Sequence, residues 1–302
     1  MSQSATELGS PPRQGDATSR LRTVLKHTRK FFADPKAVLG GSILIVFVLV
    51  AVFAPVVAPY GENQTNPARS LEGPSVEHPL GTDRLGRDIL SRIIYGSRVS
   101  VAIGVVAAGL AVLIGVPLGL IAGYVGGFVD DLIMRFVDAW IAFPNLILIL
   151  AIITIIGPGA INVMVAIGLG AFPIYARLVR GQTLTLKETD FVLAARALGA
   201  TPTRIMVRHV LTNGFQPVVV QATLFAGVAV LAEAGLSFLG IGVQPPTATW
   251  GIVISEGFSV IRSSPWGAVT PGFAVILFVL SVNLLGDRLR DVTDPRLRGS
   301  GR

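Results

Sequence analysis

The chain has 302 residues, of which 51% are hydrophobic and 14% charged, with a mean hydropathy of +0.67. A water-soluble core of this length needs no such apolar excess, so lipid is the solvent for much of the chain. The lack of Cys excludes disulfides and thiolate metal sites. His27, His78 and His209 stand too far apart to suggest a ligand cluster, and the net charge of +7 lies in short segments between apolar runs, unlike the patch a nucleic-acid partner requires.

Residues 1–36 are polar at first and then basic through Arg20, Arg22, Lys26, Arg29 and Lys30. The apolar run after them is of full spanning length and lacks a small-residue cleavage site, so this segment is expected to stay as a cytoplasmic N-terminal arm and not to be removed as a signal peptide. About 20 apolar residues cross a bilayer, and on that length the sequence predicts six spans. The first is Ala37 to Ala58. An external segment, 59–98, follows, and in it Ile89 to Tyr95 suggests an interfacial helix. The second span, Val99 to Gly123, opens a core membrane domain over 99–290. Gly115, Gly119, Gly123 and Gly127 recur every four residues along it, a spacing that lets helix backbones approach closely; packing within the chain is favoured over a subunit interface, and Pro117 suggests a kink.

No charge occurs from Ala139 to Ala176, a run too long for one helix. Gly157-Pro158-Gly159 divides it into the third and fourth spans. The fifth span, about Gly214 to Gly240, contains Glu233, the one ionisable group well inside a predicted span. Such a group counts as a functional candidate by default, either on the translocation path or as a structural hydrogen-bond partner, with the structural role slightly favoured. The sixth, about Pro271 to Gly286, precedes a cytoplasmic tail, 291–302. With the N-terminus inside, 19 Lys and Arg fall on the cytoplasmic side and 6 outside, so both termini are expected in the cytoplasm.

The long cytoplasmic loop, 177–213, reads as two short helices. Asp190 suits an N-cap, Phe191, Ala194, Ala195 and Leu198 follow helical spacing, and Gly199 sits where a left-handed C-cap belongs. Thr201 and Pro202 then open a second helix with Arg204, Arg208 and His209 on its polar side. An amphipathic helix with small residues on its apolar face fits a groove on a soluble partner, or it lies on lipid headgroups; the residues alone leave both open.

Leu193-Ala194-Ala195-Arg196-Ala197-Leu198-Gly199 resembles the E-A-A, three residues, G loop of the dipeptide/oligopeptide/nickel permease family of ABC importers, with Leu193 in place of Glu and Thr212 near the place of a frequent Pro. Two further strings resemble the C-type subunit of that family: His78-Pro79-Leu80-Gly81-Thr82-Asp83-Arg84-Leu85-Gly86-Arg87-Asp88, and Gly235 to Gly240 continuing through Gln244-Pro245-Pro246 to Trp250-Gly251. The resemblance implies an all-α, type I ABC importer-like permease of about six helices in the plasma (inner) membrane of a prokaryote. It implies a homologous second permease, two cytoplasmic ATPases that carry ATP and Mg, an external substrate-binding protein, and an ATPase contact at or near Asp190, Phe191, Ala194, Ala195, Arg196, Gly199 and Arg204. Read physically, the charges of the first string are expected to be solvated, and the second string is expected to end in a Pro-punctuated external loop that partly re-enters the mouth of the bundle.

No G-x-x-x-x-G-K-[S/T] phosphate loop occurs, and no Gly-Lys pair at all. A non-catalytic subunit with no cofactor of its own, energised by partners, is therefore expected. The rival readings are an ion-coupled secondary transporter, which usually shows inverted repeats and several intramembrane charges, and a non-transporting membrane scaffold. The solute, whether dipeptide, longer peptide, nickel complex or other small molecule, is not legible in the sequence.

Overall fold

Asp34 opens the first helix: its side chain accepts from the Lys36 amide at 2.9 Å, and Pro35 brings the φ a first helical turn needs. The computed structural model describes residues 34–293, so the basic arm and most of the C-terminal tail lie outside the described residues. Helix α1 is Pro35–Val52. The first span, read to residue 58, stops sooner, because Pro55 has no N–H to continue the ladder, and a four-residue helix, α2 (Ala54–Val57), completes it.

After a turn-rich stretch with one 3₁₀ turn (Pro67–Arg69), α3 (Ile89–Val125) runs for 37 residues. Asp88 caps it by accepting from the Ser91 amide at 2.7 Å. The expected interfacial helix from Ile89 is the first two turns of this element, and Pro117 lies within it without ending it. At 1.5 Å per residue it is about 55 Å long, well beyond the roughly 30 Å hydrocarbon layer.

Next come α4 (Gly127–Ile141) and α5 (Asn145–Ile156), which meet at 89°. Gly157-Pro158-Gly159 forms the expected turn, with Gly157 and Gly159 at φ of +89° and +138°, and leads to α6 (Ala160–Leu186). The third span is thus a bent pair and not one straight helix. The loop follows with α7 (Asp190–Ala197), α8 (Pro202–Arg204), a seven-residue π-helix (Ile205–Leu211) and α9 (Thr212–Gly214). Then α10 (Gln216–Phe238), α11 (Trp250–Phe258) and α12 (Trp266–Thr293) complete the described chain; α12 begins a turn before Pro271, which it accommodates internally. Among the described residues, five helices, α1, α3, α6, α10 and α12, are long and apolar enough to cross a membrane, and there are six crossings where the bent pair counts as one span.

The bundle is built on α3 and α6. Gly115, Gly119 and Gly123 face α6: a Cβ on Gly115 would stand 2.4 Å from the Phe172 carbonyl, and one on Gly119 2.2 Å from that of Ala176. The glycine row is therefore an intramolecular seam. Gly127 does not share it, because α3 ends at Gly126 and Gly127 starts α4 with φ +53° and open space around it. Ile103, Ala107, Ala166, Tyr175, Phe225 and Ala229 fill the core among α3, α6 and α10. A second cluster joins α1, α11 and α12 through edge-to-face contacts of Phe47 with Trp250 and Phe278, ring centroids 5.2 and 5.7 Å apart. Asp34 and Arg288 pair at 3.5 Å, and Lys187 donates to the Gly123 carbonyl at 3.0 Å. Both described chain ends and the α7 loop therefore share one end of the bundle. The segment 59–88 and α11 occupy the other.

Candidate functional site

Three polar constructions sit on this frame. The first is the α7 loop. Thr189, not Asp190, is its N-cap residue; Asp190 is the first helical residue, where its negative charge faces the positive end of the helix. The C-terminus is closed by a Schellman pair, in which the Gly199 amide donates to Arg196 O and the Ala200 amide to Ala195 O, both at 3.0 Å, with Gly199 at φ +82°. Thr201 caps the following turn by accepting from the Arg204 amide at 3.4 Å, with Pro202 as its first residue. The side that anchors α7 differs from the expected one. Val192 is fully buried with Ile205 and Val210, whereas Phe191, Ala194 and Arg196 are exposed, Ala195 is half-buried, and Leu198 is 89% exposed. Arg204 is exposed beside them. The stripe read as the helix's apolar face points away from its own bundle.

The second construction is around Glu233, fully buried in α10. Its Oε1 accepts from Ser237 Oγ at 2.7 Å and from Thr249 Oγ1 at 2.8 Å, and its Oε2 has no partner among the described residues. Thr249 in turn caps α11 by accepting from the Ile252 amide, and Ser237 accepts from the Val243 amide. Next door, a Cβ on Gly251 would lie 2.6 Å from Ala234 Cα, so α11 rests directly on the α10 backbone. Glu233 thus fastens the loop 240–249 and the start of α11 to α10. Glu233→Ala strands two hydroxyls and is expected to lower stability by about 1–3 kcal/mol, read as a lower Tm of the purified protein in detergent. Glu233→Gln retains the accepting oxygen and should recover most of that loss; equal losses for both variants would mean that the charge itself is required.

The third lies at the opposite end and corrects an expectation. The charges of the string from His78 to Asp88 are largely buried, not solvated: Asp83, Arg87 and Asp88, like Arg92 in the first turn of α3, are each less than a tenth exposed. Asp83 Oδ2 accepts from Arg87 Nε at 2.6 Å and from Arg92 Nη1 at 3.2 Å. Glu256 of α11 accepts from Arg87 Nη2 at 2.8 Å and also from Arg92 Nη1. Beside this network His78 Nδ1 lies 3.0 Å from Asp88 Oδ1. Arg84 alone of the string's arginines points outward. At the rim, the hydrogen bond from Arg69 holds the Glu77 carboxyl below its ordinary range. These contacts bind the segment before α3 to α11, and no sequence signal linked Glu256 to them.

Residues 115–299 match the family model described as the binding-protein-dependent transport system inner membrane component, and residues 25–74 match the N-terminal transmembrane domain of oligopeptide transport permease C. Among curated relatives, the chain is 42% identical to the dipeptide transport system permease protein DppC of Alkalihalophilus pseudofirmus, over 97% of this chain and 96% of that one. It is also 42% identical to the di/tripeptide transport system permease protein DppC of Pseudomonas aeruginosa (91% and 93%) and to the glutathione transport system permease protein GsiD of Pectobacterium atrosepticum (89% and 90%). In fold it is similar to a chain of the inward-facing MetNI methionine ABC transporter, with a TM-score of 0.57 and 22% identity over 68% of this chain and 98% of that chain. With this coverage, the chain belongs to the family of binding-protein-dependent transport system inner membrane components, the multi-pass permease subunits of bacterial ABC importers.

Proposed function

We propose that this permease forms half of the translocation path for small peptides, and that its α7 loop receives the power stroke of separate ATPase subunits. The observation that carries the reading is the outward apolar stripe of α7. Phe191, Ala194 and Leu198 are exposed on a helix whose C-terminus is closed by a Schellman pair and leads into the Thr201-capped turn, and whose base is pinned by Val192. A rigid short helix with an uncovered face of small and apolar residues suits a groove on a partner, and the sequence holds no phosphate loop of its own. Asp190, Ala195, Arg196, Gly199 and Arg204 border that face.

In this reading two ATPases, which carry ATP and Mg, dock on α7 and on the matching loop of a homologous second permease. A substrate-binding protein delivers solute at the opposite end. Both termini are cytoplasmic and the membrane is the bacterial inner membrane, in keeping with the 19 to 6 distribution of Lys and Arg. Small peptides are proposed because relatives of 42% identity carry dipeptide, di/tripeptide and glutathione in their names. Closure of the ATPases would swing α7 as a lever and tilt the helices it joins, α6 and α10, opening the path toward the binding protein.

Gly199→Val tests the lever. No heavy atom lies within 4 Å of the added Cβ, so the fold is not overpacked, but φ +82° is strained for a β-branched residue by about 1–2 kcal/mol and the α7 cap should open. The assembled complex in proteoliposomes is expected to hydrolyse ATP while dipeptide uptake falls. Normal uptake with normal assembly would remove α7 from the coupling path. Affinity purification of the tagged chain in mild detergent tests the partners, and a chain that transports alone overturns the assignment.

A further inference from the structure

The bent pair α4–α5 poses a physical problem that the isolated chain does not solve. Three residues, Ala142-Phe143-Pro144, separate two helices set at 89°, and the seven residues 141–147 are all exposed. A break of this kind leaves the last carbonyls of one helix and the first N–H groups of the next without intrahelical partners. In hydrocarbon such backbone is not tolerated unless protein or water covers it.

The break is deep. From the Gly157–Gly159 turn, α5 descends 12 residues to Asn145, about 18 Å at 1.5 Å per residue. By the other strand of the hairpin, a Cβ on Gly170 would meet Asn145 Oδ1 at 2.5 Å, and Gly170 stands ten residues into α6, about 15 Å from the same turn. With the Gly157–Gly159 turn taken as the edge of the layer, both measures place Asn145 near the middle of about 30 Å of hydrocarbon.

A second observation concerns charge. Arg177 Nη2 and Asp138 Oδ1 pair at 2.7 Å with both side chains more than half exposed. Arg177 lines the same hollow of about 550 Å³ as Phe143, Asn145 and Gly170. It lies two turns beyond Gly170, about 10 Å further along α6, toward the cytoplasmic edge of the hydrocarbon layer. An ion pair left exposed beside a break in the helix is costly against lipid and is accommodated where water reaches it.

We infer that the α4–α5 elbow lines the aqueous translocation path, with Asn145 at its tip near mid-membrane and the Asp138–Arg177 pair below it toward the cytoplasmic edge. This rests on the proposed function and gives it a location. The elbow offers the solute an amide, a carboxylate and a guanidinium, a set that matches a zwitterionic peptide by chemistry. Its two arms are held to α6, α5 through the buried Ile149 and Ile153 and α4 through the buried Val137 and Trp140 Nε1 donating to the Leu169 carbonyl at 3.0 Å, which leaves residues 141–147 of the break uncovered between them.

The chain has no Cys, so single thiols report without background from it. Asn145→Cys and, as the lipid-facing control, Ile45→Cys on α1 (60% exposed) are placed in the full complex in membrane vesicles, and labelling is followed on this chain. A thiol reacts as its thiolate, which needs water. The charged, membrane-impermeant methanethiosulfonate is expected to label Asn145→Cys about tenfold faster than Ile45→Cys, with a rate that changes when the complex is trapped with nucleotide. Labelling of Asn145→Cys only by a lipid-soluble maleimide would put the elbow in lipid and overturn the inference. Labelling by neither reagent would bury it against the partner permease, which overturns it equally. Should Asn145→Cys fail to assemble, Phe143→Cys, 60% exposed in the same break, carries the test. Dipeptide uptake by the unmodified complex in the same vesicles separates the two claims: uptake without aqueous labelling refutes the elbow alone, and no ATP-driven uptake refutes the proposed function.

Discussion

Asp83→Ala should cost about 3–5 kcal/mol of stability, the loss typical when one member of a buried ion network is removed. Asp83 is 8% exposed and accepts from four donors: the Leu85 and Arg87 amides, Arg87 Nε and Arg92 Nη1. Without it, Arg87 and Arg92 share Glu256 as their remaining carboxylate, and two backbone N–H groups lose their acceptor. An exposed ion pair would contribute about 0–1 kcal/mol, so the size of the effect distinguishes a buried clamp from a solvated string. The measurement is thermal unfolding of the purified chain or complex in detergent, with Arg84→Ala, an exposed neighbour, expected to change little. Replacing Asp83 and Arg87 together by Leu should recover part of the loss, since an apolar pair of similar volume often substitutes for a buried ion pair. If Asp83→Ala unfolds no earlier than Arg84→Ala, the network does not anchor the segment before α3.

What the sequence disclosed, and what it hid, divides along local and distant interactions. The long apolar runs gave five crossing helices because spanning length is a local property, and Gly157-Pro158-Gly159 gave its turn because two left-handed glycines flank a proline. The α7 cap was legible for the same reason: a left-handed glycine five residues before Arg204, with Thr201-Pro202 between them, leaves few alternatives. Asp190 and Thr189 both suit an N-cap, and the one-residue shift between them is within the tolerance of such signals.

The elbow at Pro144 was missed although its signal was present. A proline inside the charge-free run 139–176 argues for a break, but the nearby Gly-Pro-Gly offered a stronger one and drew the division to itself. The amphipathic character of α4 likewise carried the elbow's meaning, since Asp130, Asp131, Arg135 and Asp138 on a helix at the edge of an apolar run mark a surface that cannot be wholly in lipid. Burial of the string from His78 to Asp88 was not legible at all. Its partner Glu256 lies 169 residues after Arg87, and nothing local announces that pairing. For Glu233 the sequence supplied the question, and the geometry of Ser237 and Thr249 gives the residue a fastening role. These two hydroxyls lie within i+4 and i+16 of it, so only the first was within reach of helical spacing.

The glycine row along α3 leads to the second large effect, a comparison of two glycines in one helix. Gly119→Ala places a methyl 2.2 Å from the Ala176 carbonyl and 3.0 Å from the Arg180 amide, both backbone atoms that no rotamer change can move. The α3–α6 seam must open, and overpacking of this kind costs about 1–3 kcal/mol. Gly109→Ala, ten residues earlier on the exposed side of the same helix, has nothing within 4 Å and removes a flexible glycine from a helix interior, so it should stabilise by about 0.5–1 kcal/mol. The pair cancels any general effect of alanine in α3. Beyond stability, the seam sets where α6 stands, and α6 carries the Asp138–Arg177 and Asp130–Arg180 pairs and, through Lys187 on the Gly123 carbonyl, the entry to α7. Gly119→Ala is therefore expected to reduce uptake more than it reduces the amount of assembled complex, whereas Gly109→Ala changes neither. Equal Tm and equal uptake for the two variants would show that α3 and α6 separate freely, and the close seam would then not be what positions the loop.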